Sequence, residues 1–176
     1  MERTLTQPLR LLALVAALVG LPACGGGGAL RGQTYADDQV TYRIGHLGPP
    51  WQPIELGSQN DLAWSDGEGG LIQVNARCED DLDIPLRALT NHLLFGFTER
   101  EIESEETRPM DGREALRTHA TAKLDGVPRE LVLHVLKKDG CVYDFALIAD
   151  PGAPFGRILP SFERFVSEFH TVGAPR

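Results

Sequence analysis

Three Asp-Gly pairs, Asp111-Gly112, Asp125-Gly126 and Asp139-Gly140, punctuate the second half of this 176-residue chain, each between segments that alternate apolar and polar residues. Both central residues of a type I′ turn need positive φ, which Gly and Asp tolerate, so Asp-Gly between alternating runs is a strong hairpin signal. Three in succession predict an antiparallel meander with strands over residues 102–110, 114–124, 129–137 and 142–149. In the second of these, Leu116, Ala120, Ala122 and Leu124 share one face against Arg117, His119, Thr121 and Lys123, as a sheet with a core side requires. In the next two, Val132 and Leu136, and Val142 and Ile148, fall opposite the main apolar set. That part of the sheet is therefore expected to be covered on both sides.

Two helices are available as cover. Asp83 and Pro85 read as an N-cap and a first-turn proline, followed by Leu86, Leu89, Leu93 and Leu94 at helical spacing until Gly96. Near the end of the chain Ile158, Leu159, Phe162, Phe165, Val166 and Phe169 recur at helical spacing, with Pro160 expected in the first turn. Three phenylalanines on one stripe predict core anchors, since an exposed stripe of that size is an aggregation hazard. Ahead of the first helix, Val40, Tyr42 and Ile44 alternate with Thr41 and Arg43, short extended pieces are expected over residues 51–56 and 61–65, and residues 71–78 form a half-buried strand. The fold class is α+β: an antiparallel meander packed by two helices, in one domain spanning residues 40–172.

Residues 1–23 have the build of a secretory signal, with Arg3 and Arg10 ahead of an apolar run over residues 11–21. The run falls short of the roughly 20 apolar residues that span a bilayer. Leu21-Pro22-Ala23-Cys24 closes it and resembles the bacterial lipobox, in which the cysteine thiol receives a diacylglycerol and the chain is cut just before it. That resemblance implies lipidation at Cys24 by palmitate-type acyl chains and makes the membrane a partner through the N-terminal lipid. The alternative is an ordinary secretory signal that leaves Cys24 as a free thiol. Residues 24–39, opening with Gly25 to Gly28, are expected to be a flexible Gly-rich tether. Gly25 is not the Asp that in the best-known bacterial sorting rule retains lipoproteins at the inner membrane, so the expected address is the outer membrane, facing the periplasm.

Removal of residues 1–23 takes Arg3, Arg10 and Glu2 and leaves 15 basic against 24 acidic groups, a net charge of −9. Such a surface repels nucleic acid and anionic headgroups alike, so the body is expected to stand off the bilayer on its acyl chains. Cys78 and Cys141 remain as an even pair in a compartment where disulfides persist. Cys78 shares its face with Ile72, Val74 and Ala76, and Cys141 with Tyr143, Phe145 and Leu147, so both sulfurs point toward apolar neighbours. A disulfide is expected, the alternative being two buried free cysteines packed as small hydrophobes.

The order of strands, helix, four-strand meander and closing helix resembles the PsbP and DcrB type of α/β/α sandwich. The likeness rests on Tyr42 and Ile44 followed by Trp51, on residues 111–115 and 140–143 opening strands, and on Phe155 with Phe162 to Phe169 at the end. The resemblance implies protein binding or stabilisation of complexes more often than catalysis, and it carries over no catalytic motif. Nothing in the chain matches a nucleophile elbow, a phosphate loop or a paired zinc motif. His46, His92, His119, His134 and His170 are scattered singly, and only His119 and His134 are expected to face one another across a hairpin, as solvent-facing sheet residues and not metal ligands. Glu79, Asp80, Asp81 and Asp83 match no calcium loop and are expected to serve the positive end of a helix. Glu99, Glu101, Glu103, Glu105 and Glu106 surround a predicted edge strand, where charge discourages edge-to-edge pairing and a basic partner can be recognised. The expected function is that of a lipid-anchored cell-envelope protein, binding or scaffolding an envelope partner within a larger trans-envelope assembly, without enzymatic activity or cofactor. A small apolar-ligand-binding lipoprotein and an uncharacterised hydrolase are the alternatives.

Overall fold

The structure is a computed structural model that describes residues 28–56, 60–78 and 84–173. The signal segment, Cys24 and the acidic group Glu79, Asp80, Asp81 and Asp83 lie outside the described residues. The chain runs through β1 (Ala29–Arg31), β2 (Thr34–Ala36), β3 (Thr41–Arg43), β4 (Gln52–Ile54), β5 (Leu62–Ser65), β6 (Leu71–Cys78), α1 (Leu86–Leu93), β7 (Phe97–Met110), β8 (Arg113–Leu124), β9 (Val127–Lys138), β10 (Cys141–Ala149), α2 (Ala153–Ser167) and β11 (His170–Thr171). Two antiparallel sheets result, one of seven strands in the order β4-β5-β6-β10-β9-β8-β7 and one of four in the order β1-β2-β3-β11.

The meander forms as the Asp-Gly pairs require. Asp111, Asp125 and Asp139 have φ of 48°, 50° and 53°, and Gly112, Gly126 and Gly140 follow at 73°, 79° and 77°. β7 starts five residues earlier than its alternation indicates. Register shifts between Thr98 and Glu101 and between Ile102 and Ser104, with Glu99 at φ 48°, break the two-residue period there and hide the strand from a pattern reading.

β9 and β10 at the centre of the large sheet are buried on both faces. On one face Leu131, Leu133, Val135, Val142 and Ala146 pack with Leu89 and Leu94 in and just after α1. On the other, Ile72, Val74, Val132, Leu136, Phe145 and Leu147 meet Phe155, Phe162, Phe165, Val166 and Phe169. The phenylalanine stripe is therefore core. α2 begins seven residues ahead of Pro160, and Pro154 occupies the first turn where Pro160 was expected. Pro160 sits inside the helix and removes one backbone bond, but it lies on the exposed side, where its ring disturbs no packing.

Two strands also form within residues 24–39, the stretch read as a tether. β1 and β2 are three residues each, too short to show an alternation, and they are held by the tertiary environment: Tyr35 stacks on Tyr42 at 4.9 Å, and Tyr42 meets Tyr143 and Phe169 edge-on and tilted at 5.9 and 5.8 Å. The small sheet thus shares the core beneath α2. Gly45 lets it approach, since its N–H donates to the Phe165 carbonyl at 3.0 Å and a Cβ there would lie 2.7 Å from the Phe165 Cα. Cys78 and Cys141 stand directly opposite on β6 and β10 and are joined in a disulfide.

Phe162→Ala is expected to cost about 3 to 5 kcal/mol, read as a fall in melting temperature of roughly 10 °C by circular dichroism. Alkylation of the unreduced protein should leave Cys78 and Cys141 unlabelled in mass spectra. Because they close a loop with a sequence separation of 63, their reduction should lower stability by about 4 kcal/mol on the chain-entropy account.

Candidate functional site

α1 spans only two turns and lies over β8 and β9, so the α1 face of β6 and β10 beyond it is left as a cleft of about 210 Å³. Antiparallel register places Asp144 of β10 opposite Asn75 of β6, and Val142 opposite Arg77. Asp144 is only 6% exposed, an acid in a strand otherwise free of charge. Asn75 fixes one of its oxygens, donating from Nδ2 to Oδ1 at 2.9 Å. The same amide accepts the Asp61 N–H at 3.3 Å, and Asp61 Oδ2 in turn accepts the Ala76 N–H at 2.7 Å, so the head of β5 is tied to β6 beside the cleft. Burial pushes the Asp144 carboxyl up to about 6, against the opposing effects of the Asn75 hydrogen bond and the Arg77 charge. Burial likewise raises Asp61, countered by the bond from Ala76. Arg77 and His92 also line the cleft, with Leu89, Leu93, Val135 and Val142 as its apolar walls. Sequence reading passed over this site. Its one signal was Asp144 itself, a charge at a position where the strand pattern calls for an apolar side chain.

A second polar group lies on the opposite face, under α2. Arg117 of β8 reaches Glu163 of α2 through Nε at 2.8 Å and Nη2 at 2.7 Å, and His134 Nε2 stands 3.3 Å from the other carboxylate oxygen. Burial alone would raise Glu163; His134 and Arg117 overcome it and hold the carboxyl at about 2. This corrects the solvent-facing reading of the two histidines. His134 is 5% exposed, beneath Phe162. His119 lies flat on Phe155 with ring centroids 5.5 Å apart, its Nε2 2.9 Å from Glu130. The register sets Arg117 opposite His134 and His119 opposite Val132, so the histidines are diagonal neighbours held by different acids. No group of three or more His, Cys, Asp or Glu able to hold a metal occurs among the described residues. Ser161 and Ser167 donate to the backbone carbonyls of Ile158 and Arg164, bonds that leave neither placed as a nucleophile against a histidine.

β7 is the edge of the large sheet, as its glutamates led us to expect. Several of them are neutralised: Glu99 by Lys123, Glu105 by Arg87 and Glu106 by Arg108.

The two buried carboxylates give opposite pH signatures. Asp144 is raised in the folded state, so its charge opposes folding at neutral pH: Asp144→Asn should add roughly 2 kcal/mol at pH 7.5, an advantage that shrinks as pH falls through about 6 and is gone near 4. Glu163 is lowered, so its contribution is complete above its ordinary value of 4.5 and lost as pH falls toward 2. Glu163→Gln should cost about 1 to 2 kcal/mol at pH 7.5, allowing for its partial exposure, and the cost should fade over that acid range. Urea titrations across pH 2.5 to about 8 check both signs.

No protein-family model matches this chain, and no curated protein matches it by sequence. Solved structures do match in shape. Cyanobacterial PsbP (CyanoP) from Synechocystis sp. PCC 6803 superposes with a TM-score of 0.52 at 16% identity, over 80% of this chain and 87% of that one. LpqN, involved in cell envelope biogenesis of Mycobacterium tuberculosis, superposes at 0.50 with 12% identity, over 76% and 86%. PA94 from Pseudomonas aeruginosa, a protein of unknown function, does so at 0.50 with 11% identity, over 85% and 97%. At these identities the likeness is one of fold, and the fold is PsbP-like: an α+β domain of two antiparallel sheets and two helices.

Proposed function

We propose that this protein is a lipid-anchored component of the bacterial cell envelope, held at the outer membrane through Cys24, whose PsbP-like domain binds or scaffolds an envelope partner. The observation that carries the reading is the lipobox-like Leu21-Pro22-Ala23-Cys24 just ahead of a domain with the fold of LpqN, a protein of envelope biogenesis. Binding is favoured over catalysis because Glu163 is held in a structural ion pair by Arg117 beside His134, while Asp144, fixed by Asn75, lines an open cleft. The apolar-ligand alternative is disfavoured by the way α2 packs. Its phenylalanines fill the space over the sheet, and the cleft beside α1 sets Asp61, Asn75, Arg77, His92 and Asp144 among Leu89, Leu93, Val135 and Val142, so charge interrupts its apolar lining. No helix among the described residues is long and apolar enough to cross a membrane, so attachment in this reading falls to the acyl chains.

Metabolic labelling with a palmitate analogue tests the anchor. The wild-type chain should take up label and partition into detergent, whereas Cys24→Ser should do neither and appear in the soluble envelope fraction. An unlabelled, freely soluble wild-type chain would overturn the reading.

A further inference from the structure

The small sheet carries an outward face that the core does not use. Leu30, Tyr35 and Tyr42 form its inner row, so the residues that alternate with them point away from the molecule. One outer row runs Arg31, Thr34, Arg43, His170 across all four strands. The next runs Ala29, Ala36, Thr41, continued by Val172, whose N–H donates to the Thr41 carbonyl at 2.9 Å and which is 43% exposed. Arg31, Arg43 and His170 are exposed, and neither arginine has an ion-pair partner among the described residues. None of these eight positions is acidic, although the processed chain carries a net charge of −9. Asp37 and Asp38 stand in the turn at the end of the sheet, where Asp37 accepts the N–H groups of Gln39 and Val40 at 2.7 Å.

The small sheet is also where the described chain enters the fold, through its outermost strand β1. Gly28 lies against Tyr35 so closely that a Cβ would sit 2.0 Å from the phenolic oxygen, and β1 starts at the next residue. From Cys24 to Ala29 is five residues, and a fully extended chain covers no more than about 18 Å in that span. An acylated Cys24 therefore keeps the small sheet within about that distance of the headgroups, and the charge on its outer face selects the side that meets them. A linkage so short raises the local concentration of lipid phosphate at the two arginines, so contacts too weak to recruit a free protein suffice to orient a tethered one. The acidic remainder of the surface is repelled by the same phosphates and works in the same direction.

We propose that the outer face of the small sheet lies on anionic lipid headgroups, Arg31 and Arg43 against phosphates and Val172 with the small residues beside it at the membrane surface. The inference rests on lipid anchoring at Cys24 and goes beyond it by assigning the membrane-facing side of the domain; it replaces the expectation, drawn from net charge alone, that the whole body stands off the bilayer.

The test uses full-length acylated protein in vesicles of phosphatidylethanolamine with phosphatidylglycerol, and of phosphatidylcholine alone. A fluorophore is placed through Thr34→Cys on this face or through Asn91→Cys on α1, across the large sheet, and quenching by headgroup-spin-labelled lipid is read. On anionic vesicles the probe at position 34 should be quenched several-fold more than that at 91. Arg31→Glu with Arg43→Glu should abolish the difference while vesicle binding persists, and the double lysine variant should retain it. Equal quenching at both positions on acylated, vesicle-bound protein, or indifference to the glutamate pair, would overturn this assignment and leave the anchor standing. Energy transfer between probes at position 34 without lipid quenching would place a second copy on the face and overturn it too. A chain that takes up no acyl group and stays off the vesicles would defeat anchor and orientation together.

Discussion

Burial of the aromatic stripe of α2 is the interaction on which the rest of this structure depends. Phe155, Phe162, Phe165 and Phe169 are the means by which the large sheet covers its inner face and by which the small sheet is joined to it, since Tyr42 and Tyr143 both pack on Phe169. Phenylalanine combines large apolar area with few rotatable bonds, so α2 together with Phe169 just beyond its end can serve two sheets at once. The disulfide acts on the same core: Cys78 and Cys141 belong to the faces of β6 and β10 that line it.

The polar groups follow from the same geometry. Where α2 crosses β8 and β9 it brings Glu163 over Arg117 and His134, and a carboxylate taken partly out of water is held ionised by two basic partners. Where α1 stops after two turns, Asp144 has only an amide as its direct partner, and burial raises its pKa. One acid is thus stabilised as a charge and the other strained as one. The contrast comes from what each helix places above the sheet, not from the residues' chemistry.

Much of the fold was legible because its signals are local. Asp-Gly turns specify hairpins through backbone φ alone, and the leucines of α1 and the phenylalanines of α2 repeat at helical period whatever they pack against. The pairing of Cys78 with Cys141 followed from the phase of two strands whose faces could be read independently. What escaped was non-local. β1 and β2 have too few residues for a period, the two bulges in β7 scramble its alternation, and Pro160 looked like a helix start because local rules cannot see Pro154 and Phe155 extending α2 backward. The histidines were misplaced for a related reason: a polar side chain in an alternating strand reads as solvent-facing until a second layer is known to cover it.

The sequence by itself determined the α+β class, the meander and its turns, the core role of the α2 stripe and the acidic charge of the domain, all properties of neighbouring residues or of simple periods. Tertiary structure alone decided that Ala29–Arg31 and Thr34–Ala36, within the stretch expected to be a tether, open a second sheet, that Asp144 and Asp61 line one cleft through Asn75, and that Arg31 and Arg43 stand in one cross-strand row. Those relations join residues far apart in the chain or on strands too short to announce themselves. Only the pairing register and the packing of one layer on another bring them together.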